Sequence, residues 1–549
     1  MPTISFSLKD LEKLLGKKLE VSQVEELIEY GKGDFEGYDK EEDDFKVEFG
    51  DTNLPYLWSV EGFARLVRGI LGKQKGIPPI KINKGEYKLI VDKSVSKVRP
   101  YIAAFVAKGC KIDEDLLKQV IQLQEKLCDN FGRRREKVAI GVYSHKKIRF
   151  PVRYKATDPE SVKFIPLEFR KEMTQQEILE EHPTGQKYSW ILEGMKKYPI
   201  LIDSKDDVLS FPPIINSMVT GKVEPGESDI FFEATGNDLT SLLLATNIFA
   251  YALSDRGFRI YSVDVKYPDG KTINTPSLFK DTIKLDKKDI KKLLGLELKE
   301  SEVKALLEKM GYGYQNGLVK IAPYRKDILH AHDVIEDIGI GYGYDKIPEV
   351  ALESYTIGET SHLVEFCDKV RELLVGLGYQ EVMSPIMSNK EFLTKKMNCD
   401  VEVVEIDNFI SETYSAVRSW LLPVLLEVLS KNKHVEYPQR IFEQGSVSVR
   451  KSEAVDHERV ALVSAHEKAD YTEAKQALDF LLRMLGIKYE IFEASHDSFI
   501  AGRVGRVVVN GKKVAYIGEF NPEVLSNWDI DVPVVGFELN LTELFEATS

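Results

Sequence analysis

Apolar positions recur at two spacings along this chain. Where they fall three and four residues apart, the pattern predicts helices: residues 112–131, Leu239–Leu253, Leu363–Leu377 before Gly378, Trp420–Asn432 and Tyr471–Leu485. Where they alternate or run together briefly, it predicts strands. These fall in the β-rich stretch 87–110 and at Val138–Tyr143, Pro199–Val208, Ile230–Thr235, Gln380–Met387, Gln439–Val449, Val460–Ser464, Arg506–Val509 and Val514–Glu519. In Ile230–Thr235, read IFFEAT, strict alternation puts Phe231, Glu233 and Thr235 on one face. A carboxylate sharing a face with phenylalanine is costly to bury unless something pairs with it. Ser210–Ser217, SFPPIINS, is expected to be rigid and extended, because its two prolines restrict themselves and the residues before them. The charged stretch Asp39–Lys46 is expected as an exposed loop.

One pattern occurs twice. Asp10–Glu29 reads DLEKLLGKKLEVSQVEELIE, and Asp289–Glu308 reads DIKKLLGLELKESEVKALLE. Without gaps, Leu14 aligns with Leu293, Gly16 with Gly295, Leu19 with Leu298, Ser22 with Ser301, Val24 with Val303 and Leu27 with Leu306. Each copy predicts a helix, a glycine stop, a short link, a Ser N-cap and a second helix. The separation is too long for a solenoid, so two related helical modules flank another domain. After the second copy, Ile321–Pro348 opens with a strand-like run closed by Pro323. An amphipathic helix follows, carrying Asp327, Asp333, Glu336 and Asp337, and ends in the turn-forming series Gly339, Gly341, Gly343. Asp333, Glu336 and Asp337 share one helix face. Their mutual repulsion has to be relieved by water, a cation or a basic surface.

The expected fold class is α+β and multidomain. An N-terminal helical module spans 1–85, an α+β domain 86–270, a central helical module with the acidic helix 271–350, and a second α+β domain built on an antiparallel sheet 351–549. A length of 549 residues suits three to five domains at about 150 residues each. The 43% hydrophobic content supplies their cores. Cys110, Cys128, Cys367 and Cys399 are too scattered to suggest zinc or a disulfide framework. No long apolar run and no leader-like N-terminus are seen, so a cytoplasmic protein without membrane contact is expected. The net charge of −13 excludes a general nucleic-acid coat. The local basic cluster Arg133, Arg134, Arg135 and Lys137, followed by Lys146, Lys147 and Arg149, fits either a solvated edge or phosphate contact.

Several motifs coincide in order. P-x-R-x-D-x5-D-x2-E-D from Pro323 is followed by G-Y-D-x-I-P, and Asp51–Arg65 reads D-x-N-L-P-Y-L-W-S-V-E-G-F-A-R. With Val138–Tyr143, SFPPIINS and Glu233–Thr235 between them, the chain resembles the phenylalanyl-tRNA synthetase beta subunit of archaeal and eukaryotic type over nearly its whole length. Leu54, Pro55 and Tyr56 stand where many members carry Arg-Pro-Asp. The resemblance implies an editing domain at 86–270 and a class II synthetase-like domain at 351–549. It implies Ser210, Glu233 and Thr235 as the working residues of an editing pocket, with Leu201 and Asn216 binding substrate. Within that pocket Glu233 takes the tyrosyl hydroxyl or the amine, and Leu201 the ring. It implies Mg2+ at Asp327, Asp333, Glu336 and Asp337, and an alpha subunit in an α2β2 complex that handles ATP, phenylalanine and tRNA(Phe).

The chain itself is not expected to aminoacylate. In R-I-F-E-Q-G, Arg440 is out of register for a class II phosphate-binding arginine. Lys346 takes the arginine slot after Gly339, Gly341 and Gly343, and VAYIGEFNPEVLSN has no arginine. The expected activity is hydrolysis of mischarged Tyr-tRNA(Phe) by positioned water, because an apolar pocket rejects an added hydroxyl poorly. A non-catalytic scaffold and a freestanding editing hydrolase are the alternatives.

Overall fold

The repeat is the visible part of a larger one. In the computed structural model, which describes residues 2–352 and 354–548, each copy is a strand, two helices and a hairpin. The first comprises Thr3–Phe6, Leu8–Leu15, Val21–Glu29, Gly33–Asp39 and Asp44–Phe49. The second comprises Thr282–Lys284, Lys287–Leu294, Glu300–Lys309, Gly313–Gln315 and Leu318–Lys320. In both sheets the third strand lies between the first and second. Both modules are therefore α+β, not helical as expected. Gly16 (φ 60°) and Gly295 (φ 72°) end the first helix of each copy, as the glycine stop predicts. Ser22 and Ser301 are not N-caps. The second helices start from Glu20 and Lys299, whose backbone N–H groups donate to Gln23 (3.0 Å) and Glu302 (2.7 Å). Asp39–Lys46 is a hairpin, with Asp39 opposite Asp44.

The chain divides into two compact units, Met1–Val350 and Ala351–Ser549. Within the first, the modules are joined by the helix Val60–Ile70. A Cβ at its Gly69 would lie 2.2 Å from the Lys309 carbonyl oxygen, so only glycine permits this approach. The rest of the unit is a ten-stranded sheet. Its order runs Ile215–Asn216, Val208–Phe211, Tyr198–Ile202, Val152–Thr157, Ile82–Val91, Arg259–Lys266, Tyr101–Lys108, Asp229–Gly236, Val138–Ser144, with Thr272–Thr275 added to Arg259–Lys266. One face packs on the helices Glu114–Lys126 and Leu239–Asp255 through Phe105, Phe232 and Leu242. The other encloses an inner core of Leu89, Val106, Tyr154, Leu201 and Phe231. Phe231 and Phe232 thus enter opposite cores, as strand geometry requires. Ser210–Ser217 is a tight hairpin, not an extended rod: Ser210 pairs with Asn216 and Phe211 with Ile215.

The second unit centres on a seven-stranded sheet. Its order is Gln380–Glu381, Gln439–Arg450, Ala454–Ala465, Val534–Asn540, Lys512–Phe520, Phe499–Val509, Glu490–Glu493, antiparallel but for the first pair. Helices His362–Gly376, Tyr471–Met484 and Leu541–Thr548 cover one face over Phe442, Leu462 and Phe537. The predicted strand Gln380–Met387 is broken around Pro385, which has no N–H to give a ladder. Its end, Met387–Ser388, joins a small sheet with Val404–Glu405 and Ala416–Val417. Arg440 pairs with Glu473 of the helix Tyr471–Met484 at 2.9 Å. Ile441 and Glu443 take the opposite face, because one residue of register reverses the side. Among the described residues, no helix is long and apolar enough to cross a membrane.

Candidate functional site

The ten-stranded sheet curls until its two ends meet. Asp229–Gly236 lies next to the edge strand Val138–Ser144, and Val208–Phe211 next to the edge strand at the other end, yet side chains from both ends touch. The Tyr143 hydroxyl lies 2.7 Å from Glu233 Oε1 and 2.8 Å from Ser210 Oγ. A phenol has one proton. Given to Glu233, it leaves the Ser210 hydroxyl to donate to the Tyr143 oxygen. Asn216 Nδ2 donates to the Val142 carbonyl (3.4 Å), and Arg135 Nη1 to that of Ile214 (2.7 Å), closing the same seam. Gly141 is required here, because a Cβ on it would sit 2.1 Å from the Tyr143 oxygen and 2.5 Å from Glu233 Oε1.

A cavity of about 600 Å³ opens at this seam, with Ser210, Asn216, Glu233 and Thr235 in its wall. Four of the five residues named for an editing pocket are therefore together. The fifth, Leu201, is fully buried in the inner core and does not line the cavity, although it pairs with Ser210. Ile140, Val142 and Pro212 supply the apolar wall instead. Burial pushes the Glu233 carboxyl up to about 8, while Tyr143 and the nearby Arg99 pull it down. Its Oε2 has no partner among the described residues. At neutral pH Glu233 is mostly a neutral acid, able both to donate and to accept.

Two residues of this site carry no role in the sequence reading. Tyr143 lies at the end of a predicted strand whose alternation gives no sign of a polar partner. Arg99 is buried and donates through Nε to Thr235 Oγ1 (3.0 Å) and through its other nitrogens to the carbonyls of Thr235 (2.6 Å), Arg135 (3.0 Å) and Glu136 (2.9 Å). It fastens the turn Arg133–Arg135, where three consecutive residues have positive φ (51°, 52° and 69°). Such a backbone persists only where its surroundings hold it. Arg135 is bound back to the chain, with its guanidinium 4.1 Å from the Tyr188 ring centroid, while Arg133 and Arg134 remain exposed.

The four carboxylates of the acidic segment do not converge. The helix runs Ala331–Tyr342, so Asp327 precedes it instead of riding on it. Gly339 and Gly341 are inside this helix, and only Gly343 (φ 95°) ends it. Asp327 and Asp337 both pair with the buried Arg325, and Tyr312 donates to Asp337. Asp333 Oδ2 accepts the N–H groups of Leu329 and His330, both at 2.7 Å, at the helix start. Glu336 meets Lys32 at 2.8 Å. The face is relieved by cations and backbone N–H groups of the same chain. Among the described residues, no cluster of three or more His, Cys, Asp or Glu is placed to hold a metal ion. As arranged, these four do not fit magnesium, which needs oxygens converging at about 2.1 Å.

Residues 283–344 match the tRNA synthetase B5 domain, and residues 347–541 the phenylalanyl tRNA synthetase beta chain CLM domain. The phenylalanine–tRNA ligase beta subunit of Pyrococcus abyssi (strain GE5 / Orsay) is 43% identical over 100% of both chains. That of Archaeoglobus fulgidus is 40% identical over 92% of each. An N-terminal fragment of the phenylalanyl-tRNA synthetase beta subunit from Pyrococcus horikoshii has a crystal structure that superposes with a TM-score of 0.61 at 42% identity, covering 62% of this chain and 100% of the fragment. With full-length relatives this similar, the chain belongs to the phenylalanine–tRNA ligase beta-subunit family and is a component of an aminoacyl-tRNA synthetase.

Proposed function

We propose that this chain proofreads. The seam cavity takes the tyrosyl end of mischarged Tyr-tRNA(Phe), and the ester is hydrolysed there, while an alpha subunit performs aminoacylation with ATP in a cytoplasmic α2β2 complex. The observation that carries this reading is the buried Glu233 carboxyl, pushed up to about 8 and hydrogen-bonded on one oxygen only among the described residues, in the wall of a cavity with room for an aminoacyl group. A tyrosyl hydroxyl can complete that carboxyl. A phenylalanyl ring cannot, and leaves it unpaired, which is how a polar site discriminates. Ser210 and Thr235 supply hydroxyls to the substrate or to the attacking water. Among the described residues, no Ser-His or Cys-His pair adjoins Glu233, so water positioned by these groups is the nucleophile.

A docking surface for the alpha subunit is supported by exposed apolar side chains of the second unit. Met383 (95% exposed), Ile386, Met387, Phe409, Ile410 (105%) and Tyr414 all sit on or beside the small sheet that includes Met387–Ser388. The exposed apolar residues of an isolated chain are what an obligate partner covers. The test of proofreading is Glu233→Ala in the αβ complex. Deacylation of Tyr-tRNA(Phe) is expected to slow about ten- to a hundredfold, the worth of one hydrogen bond to a charged or strongly polar group. Phe-tRNA(Phe) synthesis should stay near normal. Equal deacylation by wild type and variant would remove Glu233 from the pocket.

A further inference from the structure

The second unit contains a cavity of about 450 Å³ that neither aminoacylation by a partner nor proofreading uses. Its floor is the face of the seven-stranded sheet turned away from the helices Tyr471–Met484 and Leu541–Thr548. There the cross-strand row Ala461, Glu538, Tyr516, Arg506 runs beside the pair Arg459 and Asn540. One wall is aromatic: the His496 ring lies 4.9 Å from Tyr516 and 5.8 Å from Trp420. His496 Nδ1 accepts the Ser498 N–H at 3.2 Å, so a neutral His496 carries its proton on Nε2.

The charges of this cavity are not balanced internally. Glu538 is already paired. One of its oxygens accepts the Leu421 and Leu422 N–H groups (2.8 and 2.9 Å) at the start of the helix Leu422–Lys431, and the other meets Arg459 Nη1 (2.8 Å). Among the described residues, Arg506 forms no ion pair with a carboxylate. Its guanidinium lies 4.0 Å from the Tyr516 ring centroid, and Nη2 donates to the Lys513 carbonyl at 3.1 Å. Arg450 and Lys513 add two cations to the lining, against Glu402 and Glu543. Ser419 Oγ and the Nε atoms of Arg459 and Arg506 lack partners among the described residues, although buried polar groups are normally paired. A wall with aromatic faces, guanidinium donors and unfilled hydrogen bonds is complementary to a flat ring that carries an anion.

We propose that this cavity binds a small planar aromatic anion. Its ring rests on the Trp420, His496 and Tyr516 wall, and its carboxylate or phosphate lies between Arg459 and Arg506. This inference is independent of the proofreading reading.

The alpha subunit would itself handle adenylate and phenylalanine, so the full-length chain is titrated alone. Separate calorimetric titrations use adenosine monophosphate, L-phenylalanine and inorganic phosphate, on wild type, Arg506→Gln and Tyr516→Leu. Thermal unfolding of each sample verifies that the variants keep the wild-type fold. One of the two aromatic probes is expected to bind with unit stoichiometry, and each substitution to weaken it at least tenfold. Binding of the monophosphate alone identifies phosphate as the anion, and of phenylalanine alone, carboxylate. Absence of binding by both at millimolar concentration overturns the proposal, as does binding that neither substitution changes. Inorganic phosphate binding as tightly as the aromatic probes overturns the role of the ring.

Discussion

Glu233 makes the stability of the folded chain depend on pH. Its ordinary value is 4.5, and burial raises it to about 8 in the folded chain. Between those two values the folded state keeps a proton that the unfolded chain has released. Stability therefore falls as pH rises through this window, by about 1.4 kcal/mol per unit at most. Glu233→Gln has no such proton to lose. Its stability should be flat relative to wild type from about pH 4.5 to pH 8, with wild type losing on the order of a few kcal/mol. Denaturant unfolding at a series of pH values measures this, and parallel curves would refute a raised carboxyl. Asp333 gives a second residue-scale test. As a helix-start acceptor, its replacement by alanine should cost about 0.5–2 kcal/mol. Magnesium added over a millimolar range should leave the melting temperature of wild type and Asp333→Ala alike unchanged. A magnesium-dependent rise confined to wild type would restore the metal site.

At the scale of elements, close packing decides which glycines matter. Gly69→Ala drives a Cβ to 2.2 Å from the Lys309 backbone, and the helix Val60–Ile70 has to move off the second module. Overpacking of this kind costs about 1–3 kcal/mol. Gly376 ends its helix with open space where a methyl group would project and no positive φ, so Gly376→Ala should be neutral or gain up to about 1 kcal/mol. Thermal unfolding of the two variants compares them directly. The same scale explains what the sequence disclosed. Long helices such as Leu239–Asp255 and strands such as Gln439–Arg450 were legible because their patterns run for several turns or many alternations. The module strands, as short as Leu318–Lys320, are too brief for any period to register. The central strand Val534–Asn540 was missed because it is buried on both faces and has no alternation to show. Ser210, Asn216, Glu233 and Thr235 were legible as a set through resemblance, and Glu233 also through its alternation with Phe231. Arg99 and Tyr143 were not, because their roles arise only when the sheet curls and brings distant strands together.

At the scale of the whole molecule, the second unit keeps an apolar surface that its own fold does not cover. The helix Leu363–Leu377 and the strand ending at Pro385 resemble the class II interface element, which implies a partner interface there. In the structure that helix buries Cys367, Val370 and Leu374 within its own unit. That helix also exposes Val364 and Val375, while the most exposed apolar side chains of the unit lie further on, at Met383 in the segment before Pro385 and at Ile410. These belong to chain segments around the small sheet and support none of the unit's core clusters, so charging them should leave its fold intact. Met383→Asp with Ile410→Asp would place two desolvated carboxylates in the interface with the alpha subunit. Even a few kcal/mol there corresponds to a hundredfold or more in association. Sedimentation of the mixed subunits is expected to show the wild-type complex and separated chains for the variant. Phe-tRNA(Phe) synthesis should fall with the fraction assembled, while the melting temperature of the variant chain alone matches wild type. Full assembly by the variant would move the alpha subunit to a different face, and a lowered melting temperature would show that these side chains serve the fold of this unit.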